Sequence, residues 1–167
     1  SLNKKKNNLQ LNNKKNLRLS KLIKYFLKKE NSEIKILEFG AGWGFWSSFM
    51  TSLKFNVETL EIAKDKIKYL NNNNLKNYNK IEDSKSSYDL IFSEEVLEHI
   101  NDPKNTIFSL SKYLKPGGYM IHLFPSAFMI KFKLKLNYRP NKDCAHPLEH
   151  INLFNKKAFK KMIEETN

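Results

Sequence analysis

Residues 34–46, from Ile34 to Trp46, read I-K-I-L-E-F-G-A-G-W-G-F-W. The apolar residues Ile34, Ile36, Leu37 and Phe39 make a short run that ends on three glycines at alternate positions, Gly40, Gly42 and Gly44. A short run rich in apolar, β-branched and aromatic side chains is the pattern of a buried strand. Glycines at its end admit left-handed backbone and let another group approach the main chain closely. Beyond them, Trp46, Phe49, Met50 and Leu53 recur at helical spacing. Strand, glycine turn and helix in this order open a nucleotide-binding α/β unit.

The neighbouring sequence narrows the ligand. A second apolar run, from Phe55 to Leu60, ends on Glu61, about twenty residues past the first glycine, where an acid at the tip of the adjacent strand accepts hydrogen bonds from ribose hydroxyls. The glycines are spaced G-x-G-x-G, not G-x-G-x-x-G as in dinucleotide sites, and no G-K-[ST] follows them. This favours a nucleoside ligand with no required pyrophosphate and disfavours a nicotinamide-dependent oxidoreductase.

Two more motifs follow: Y-D-L-I-F-S-E-E-V-L-E-H-I at 88–100 and L-K-P-G-G at 114–118. Taken in order with the glycine turn and Glu61, they resemble the class I S-adenosylmethionine-dependent methyltransferases, most closely the group acting on small molecules, over roughly residues 34–124. The resemblance implies an α/β fold with a doubly wound, mostly parallel Rossmann-like sheet, S-adenosyl-L-methionine as cofactor, and an enzyme that moves a methyl group to a small-molecule acceptor. It implies that the backbone of Gly40, Ala41, Gly42 and Gly44 meets the methionine and ribose portions. Glu38 either helps hold the methionine end or caps the glycine loop. Glu61 binds the ribose, Ile62 touches the adenine face, and Asp83, beside Glu82, meets the adenine amino group. Ser93 and Glu94 leave the fourth strand at its carboxyl end, where open α/β sheets place ligands, and would line the methionine side.

Methyl transfer from a sulfonium is an in-line displacement with an activated donor, so positioning is the main task and can supply ~7–11 kcal/mol of the barrier. A base is needed where the acceptor is a hydroxyl or amine. His146 or His150, in C-A-H-P-L-E-H at 144–150, suits that role because a neutral imidazole accepts protons near pH 7; a loop-bracing role stays open for both. With Glu149 they also invite a zinc reading, but Pro147 opposes a regular helix and the H-E-x-x-H order is absent. No metal is expected. Glu98-His99 reads as a pair bracing the cleft at a helix start rather than as a catalytic or metal pair.

Composition sets the outer bounds. A chain of 167 residues predicts one domain. A single cysteine, Cys144, excludes an internal disulfide and fits a reducing compartment; a cytoplasmic protein is expected. The formal net charge is +13, which suits an anionic partner, yet Lys and Asn are abundant throughout, including the run from Asn71 to Asn74. No nucleic-acid motif accompanies the charge, and the position after the fourth strand reads S-E-E-V, not N-P-P-[YF]. Nucleic acid is therefore not an expected partner, although a nucleic-acid-binding or modifying protein is kept as a competing reading. No apolar run approaches the ~20 residues of a membrane span. Oligomeric state is left open.

Residues 1–16 are Lys- and Asn-rich and read as a basic flexible arm or a frayed helix ahead of a single domain over 17–167. From Leu17, the residues Leu19, Leu22, Ile23, Phe26 and Leu27 give one apolar helix face. Short strands are expected over 78–81, 88–92 and 119–124, with Pro116-Gly117-Gly118 a turn and helix on either side of Asn101-Asp102-Pro103. The segment 125–150 is expected to cover the acceptor pocket. Its Phe128, Met129 and Phe132 beside Lys131, Lys133, Lys135 and Arg139 suit a partly apolar acceptor with an anionic group gripped by Arg139. Asn155 is placed to cap a last helix with Phe159, Met162 and Ile163 on one face. The resembled fold continues into two further strands, so a C-terminally truncated sheet is expected, and an inactive truncated domain is a competing reading.

Overall fold

A computed structural model of the protein describes residues 2–127 and 150–165. Five strands lie in one sheet: β1 (Lys35–Phe39), β2 (Asn56–Leu60), β3 (Asn77–Tyr78), β4 (Tyr88–Glu94) and β5 (Leu114–Leu123). Among the described residues the helices are α1 (Leu2–Leu27), α2 (Phe45–Ser52), α3 (Lys64–Asn72), α4 (Pro103–Ser111) and α5 (Lys156–Glu164). Strand order is β3-β2-β1-β4-β5. β1 pairs in parallel with β2 and with β4, and β2 with β3. The chain thus winds outward in both directions from β1, as expected for a doubly wound sheet, and β1 carries the switch point at which such sheets open their crevice.

Where one domain is expected, the chain divides into two compact units, Ser1–Phe92 with Leu114–Tyr119, and Ser93–Tyr113 with Met120–Asn167. In the first, Ile36 and Leu37 of β1 and Leu90, Ile91 and Phe92 of β4 are buried with Ile34 and Met50. Continuous apolar runs of this kind are what strands covered on both faces require. Trp46 of α2 stacks on Phe92 with ring centroids 4.0 Å apart. Each such side chain contributes about 1.5–3 kcal/mol when fully buried.

Two buried carboxylates tie the strands of this unit together. Asp89, only 2% exposed, accepts hydrogen bonds from Lys29 Nζ (2.6 Å), Lys115 Nζ (2.7 Å) and the Lys35 backbone N–H (2.9 Å). Glu58 accepts from the Tyr88 hydroxyl (2.7 Å), the Tyr78 hydroxyl (3.2 Å) and Lys76 Nζ (3.1 Å), and pairs with Lys35 Nζ at 3.2 Å. Buried charges are tolerated when paired and hydrogen-bonded in this way.

Several elements differ from the sequence reading. The third strand is Asn77–Tyr78, and a 3-10 turn, Ile81–Asp83, follows it. Pro116, Gly117 and Gly118 are not a free turn but lie within β5. A Cβ on Gly118 would sit 2.9 Å from the Lys115 carbonyl oxygen and 3.1 Å from those of Asp89 and Tyr88, so the passing main chain of β4 demands glycine there. Residues 97–99 form a 3-10 turn rather than the opening of a helix. Residues 2–16, expected as a flexible arm or a frayed helix, belong to α1. The buried side of α1 is only partly the predicted one: Ile23 is buried and Leu19 and Leu27 are half-buried, as expected, but Asn16 and Ser20 are buried with them, while Leu22 and Phe26 are exposed.

In the second unit, Asp102 caps α4 by accepting from the Asn105 N–H at 3.0 Å, and Pro103 occupies the first helical position. Asn155 caps α5 as expected, accepting from the Ala158 N–H at 2.8 Å. Phe124, Phe154 and Phe159 form an aromatic cluster with centroids 4.8–5.6 Å apart.

Candidate functional site

The loop between β1 and α2 is built by three glycines in the left-handed region, Gly40 (φ 73), Gly42 (φ 57) and Gly44 (φ 66). It hangs on the end of β2, because the Gly40 N–H donates to the Leu60 carbonyl at 2.8 Å, and it closes on itself where the Gly44 N–H donates to Ala41 O at 2.8 Å. Two of the glycines are needed for different reasons beyond their φ. A Cβ on Gly44 would overlap Leu70 Cδ2 and lie 2.9 Å from Leu75 Cδ1, whereas one on Gly42 would meet nothing within 4 Å. Gly44 is thus a packing glycine against the Ala41, Leu70 and Leu75 cluster. Gly42 faces open space.

Glu61, at the tip of β2, turns its buried carboxylate back to this loop. Oε2 accepts from the Gly42 N–H at 2.7 Å, and Oε1 accepts from Ile62 N–H at 2.8 Å and Ala63 N–H at 2.9 Å. The sequence pointed to Glu61 as a ribose ligand; the structure adds that it fixes the glycine loop. Glu38 is buried in β1, and its Oε2 accepts from the Ser47 N–H at 3.1 Å and from Ser47 Oγ. Ser47 lies in the first turn of α2, so Glu38 satisfies helix donors that have no intrahelical partner. These contacts are to the start of α2, a role the sequence did not point to for Glu38. Ser47 was missed by sequence reasoning, since nothing local marks it as a carboxylate partner.

Around the loop stand exposed apolar side chains. Ile62 is 75% exposed, and Trp43 and Phe45 are also exposed; Trp43 meets Tyr69 edge-on at 5.4 Å. Asp83 ends the turn after β3 and is exposed.

In the second unit, Ser93 at the end of β4 is fully buried, with Oγ 2.7 Å from His122 Nδ1. Burial pushes the His122 imidazole down to about 4, so it is neutral at physiological pH. His122 did not stand out in the sequence, because a histidine in a strand carries no pattern of its own. Glu94 is half-buried beside it in sequence. Glu98 is 1% exposed, and neither carboxylate oxygen meets a side-chain hydrogen-bond partner among the described residues. His99 and His150 are close to it: their rings are 4.8 Å apart, and the three residues bring their ligand atoms within 4.8 Å of one another. Ligand atoms at that spacing could surround a cation. The sequence reading kept Glu98-His99 and His150 apart. The structure joins them, because the Ile151 and Asn152 N–H groups donate to Glu98 O at 2.9 and 3.0 Å. His146 and Arg139, together with the segment 128–149, lie outside the described residues.

Burial pushes the Glu98 carboxyl above its ordinary range, and the neighbouring His99 and His150 only partly oppose this. An acid whose folded pKa is raised loses stability as pH rises through its unfolded value. Glu98→Gln is therefore expected to raise Tm at about pH 8 and to change it much less at about pH 4, where the carboxyl is protonated when folded and mostly protonated when unfolded. Thermal unfolding at the two pH values checks this.

A family profile described as a methyltransferase domain matches residues 11–167. The ubiquinone biosynthesis O-methyltransferase of Vibrio atlanticus (strain LGP32) is 31% identical over 113 residues, covering 59% of this chain and 45% of that protein. The protein of the same name from Rickettsia typhi (strain ATCC VR-144 / Wilmington) is 30% identical over 115 residues, with 59% and 46% covered. The chain spans about half the length of these curated relatives. Among solved structures, the plantazolicin methyltransferase BpumL, in complex with SAH, superposes with a TM-score of 0.67 at 16% identity over 86% of this chain and 58% of that one. The PH0226 protein of Pyrococcus horikoshii OT3 gives 0.66 at 19% identity over 88% and 77%. At such identities the superpositions show a shared fold. No helix among the described residues is long and apolar enough to cross a membrane.

Proposed function

The chain belongs to the methyltransferase domain family, and from that premise we propose that it binds S-adenosyl-L-methionine and transfers its methyl group to a small-molecule acceptor. The observation that carries this reading is the glycine loop closed onto Glu61, with open space over Gly42. Bound there, the cofactor supplies an activated methyl group on a positive sulfur. The chain's own residues bind and orient. A carboxylate offers about four acceptor positions; the Glu61 carboxylate spends three on main-chain N–H groups and keeps one on Oε2 for a ribose hydroxyl. Ile62 is an apolar ledge for the adenine ring, and Asp83 takes the adenine amino group. Gly40, Ala41, Gly42 and Gly44 admit the cofactor to the main chain, and Ser93 and Glu94 serve the methionine side with Glu38 behind the loop.

The relatives are named as O-methyltransferases, and an oxygen acceptor must lose a proton. His150, with Glu98 and His99 beside it, is the group we assign to that proton; His146 is the second candidate. An acceptor bearing a phosphate or carboxylate, held by Arg139, and a cytoplasmic location complete the reading.

Calorimetry with S-adenosylmethionine, S-adenosylhomocysteine and NAD tests it. The first two are expected to bind and NAD is not; equal binding of NAD, or none of the first two, overturns it. Glu61→Ala is expected to weaken S-adenosylmethionine binding by about 1.5–3 kcal/mol, the range for a hydrogen bond to a charged group. Unchanged affinity would remove Glu61 from the site.

A further inference from the structure

Helix α1 faces the wrong way for a helix whose outer side meets only water. Its inward residues are Asn16, Ser20 and Ile23, with Leu19 and Leu27 half-buried beside them, and Ser20 satisfies its hydroxyl locally by donating to Leu17 O at 2.9 Å. Its outward residues include Leu22, Tyr25 and Phe26, exposed by 51%, 74% and 56%. The patch continues onto β5: Phe26 lies 5.5 Å from the Tyr25 ring and 6.0 Å from the ring of Tyr119, itself exposed. Lys14, Lys15, Arg18 and Lys21 are exposed on the same helix, and at 3.6 residues per turn they fall among the outward apolar positions. Charge is concentrated here too. The 26 residues of α1 hold eight Lys or Arg and no acid, so they carry more than half of the chain's net +13.

We propose that this face of α1 seats the protein on an anionic lipid surface. Leu22, Tyr25, Phe26 and Tyr119 enter the boundary between headgroups and acyl chains, and the basic side chains reach outward to lipid phosphates while their methylene stems stay against the apolar layer. The apolar cluster favours a bilayer over nucleic acid, because Leu22 and Phe26 gain nothing against phosphates, while a headgroup boundary takes in both chemistries. A second copy is disfavoured by charge, since two such faces brought together would oppose Lys14, Lys15, Arg18 and Lys21 with the same four residues. The inference is independent of the methyl-transfer reading and is tested without cofactor.

Flotation of the full chain with vesicles measures it. Binding to phosphatidylcholine vesicles containing one third phosphatidylglycerol is expected to exceed binding to phosphatidylcholine alone by about tenfold or more, and to fall at high salt. The triple variant Leu22→Ser, Tyr25→Ser, Phe26→Ser should lose this binding, as should Lys14→Gln, Lys15→Gln, Arg18→Gln, Lys21→Gln, with circular dichroism and unfolding midpoints near those of the wild type. Equal binding to both vesicle types, or binding that survives the apolar triple variant, overturns the proposal. It is also overturned if the basic residues prove to serve RNA or DNA in gel-shift assays while vesicles are ignored, or if sedimentation shows a dimer that the triple variant dissociates.

Discussion

Gly44→Ala is expected to destabilise the chain by about 2–4 kcal/mol, from overpacking against Leu70 and Leu75 together with a left-handed residue that now carries a Cβ. The overlap is with side-chain ends, so α3 can yield somewhat, and the estimate stays below the cost of a clash with main chain. Gly42→Ala provides the contrast. Its φ is similar but its Cβ meets nothing, so only the backbone strain of roughly 1–2 kcal/mol applies. Under the proposed function the new methyl group intrudes on cofactor space, so Gly42→Ala should lose more S-adenosylmethionine affinity than stability. Urea unfolding and calorimetry on the two variants separate the effects. If Gly44→Ala matches wild-type stability, the packing account of this glycine is wrong.

Asp89→Ala should cost about 2–3 kcal/mol. Removing one partner of a buried ion pair costs about 3–5 kcal/mol, but Lys29 and Lys115 are partly exposed and can turn to water, which reduces the penalty. The Lys35 N–H loses its acceptor as well. Burial alone would raise the Asp89 carboxyl; hydrogen bonds from Lys115, Lys29 and the Lys35 N–H outweigh it and hold the carboxyl below its ordinary range. Glu58 behaves alike: burial raises it, and Tyr88, Lys76 and Lys35 bring it down further than burial lifts it. A carboxyl with a lowered folded pKa contributes stability above its unfolded pKa of about 4, and that contribution is lost as pH falls through the folded value. Denaturant midpoints should therefore drop steeply for the wild type below about pH 4, and less steeply for Asp89→Ala, which has already lost this contribution. Parallel acid limbs for the two proteins would show that Asp89 is not held as described.

The features legible in the sequence are those whose causes lie within a few residues. The strand into Gly40, Gly42 and Gly44 announces itself by a switch from apolar run to glycine, and Glu61 by its place at the next strand's end. Asn155 is a cap because its own side chain reaches the N–H three residues on. The features that were not legible depend on distant partners. Gly117-Gly118 looks like a turn until the carbonyls of β4 are seen to pass Gly118. Apolar spacing shows that α1 is a helix but not which side packs, and Leu22 and Phe26 were assigned to the wrong one. Glu98 and His150 are 52 positions apart in the sequence, and what joins them is a pair of main-chain hydrogen bonds from Ile151 and Asn152 that no residue pattern encodes. Ser93 and His122 meet for the same kind of reason.

The chain has two tryptophans, and they sit three positions apart in opposite surroundings. Trp46 is buried face to face on Phe92, while Trp43 is exposed within the glycine loop, edge-on to Tyr69. The protein therefore carries two natural optical probes with separate duties. Emission from Trp46 reports whether the core between α2 and β4 is intact, and emission from Trp43 reports the polarity at the mouth of the loop. Occupancy and unfolding can be followed in one sample, at two ends of one emission band, without attaching a dye.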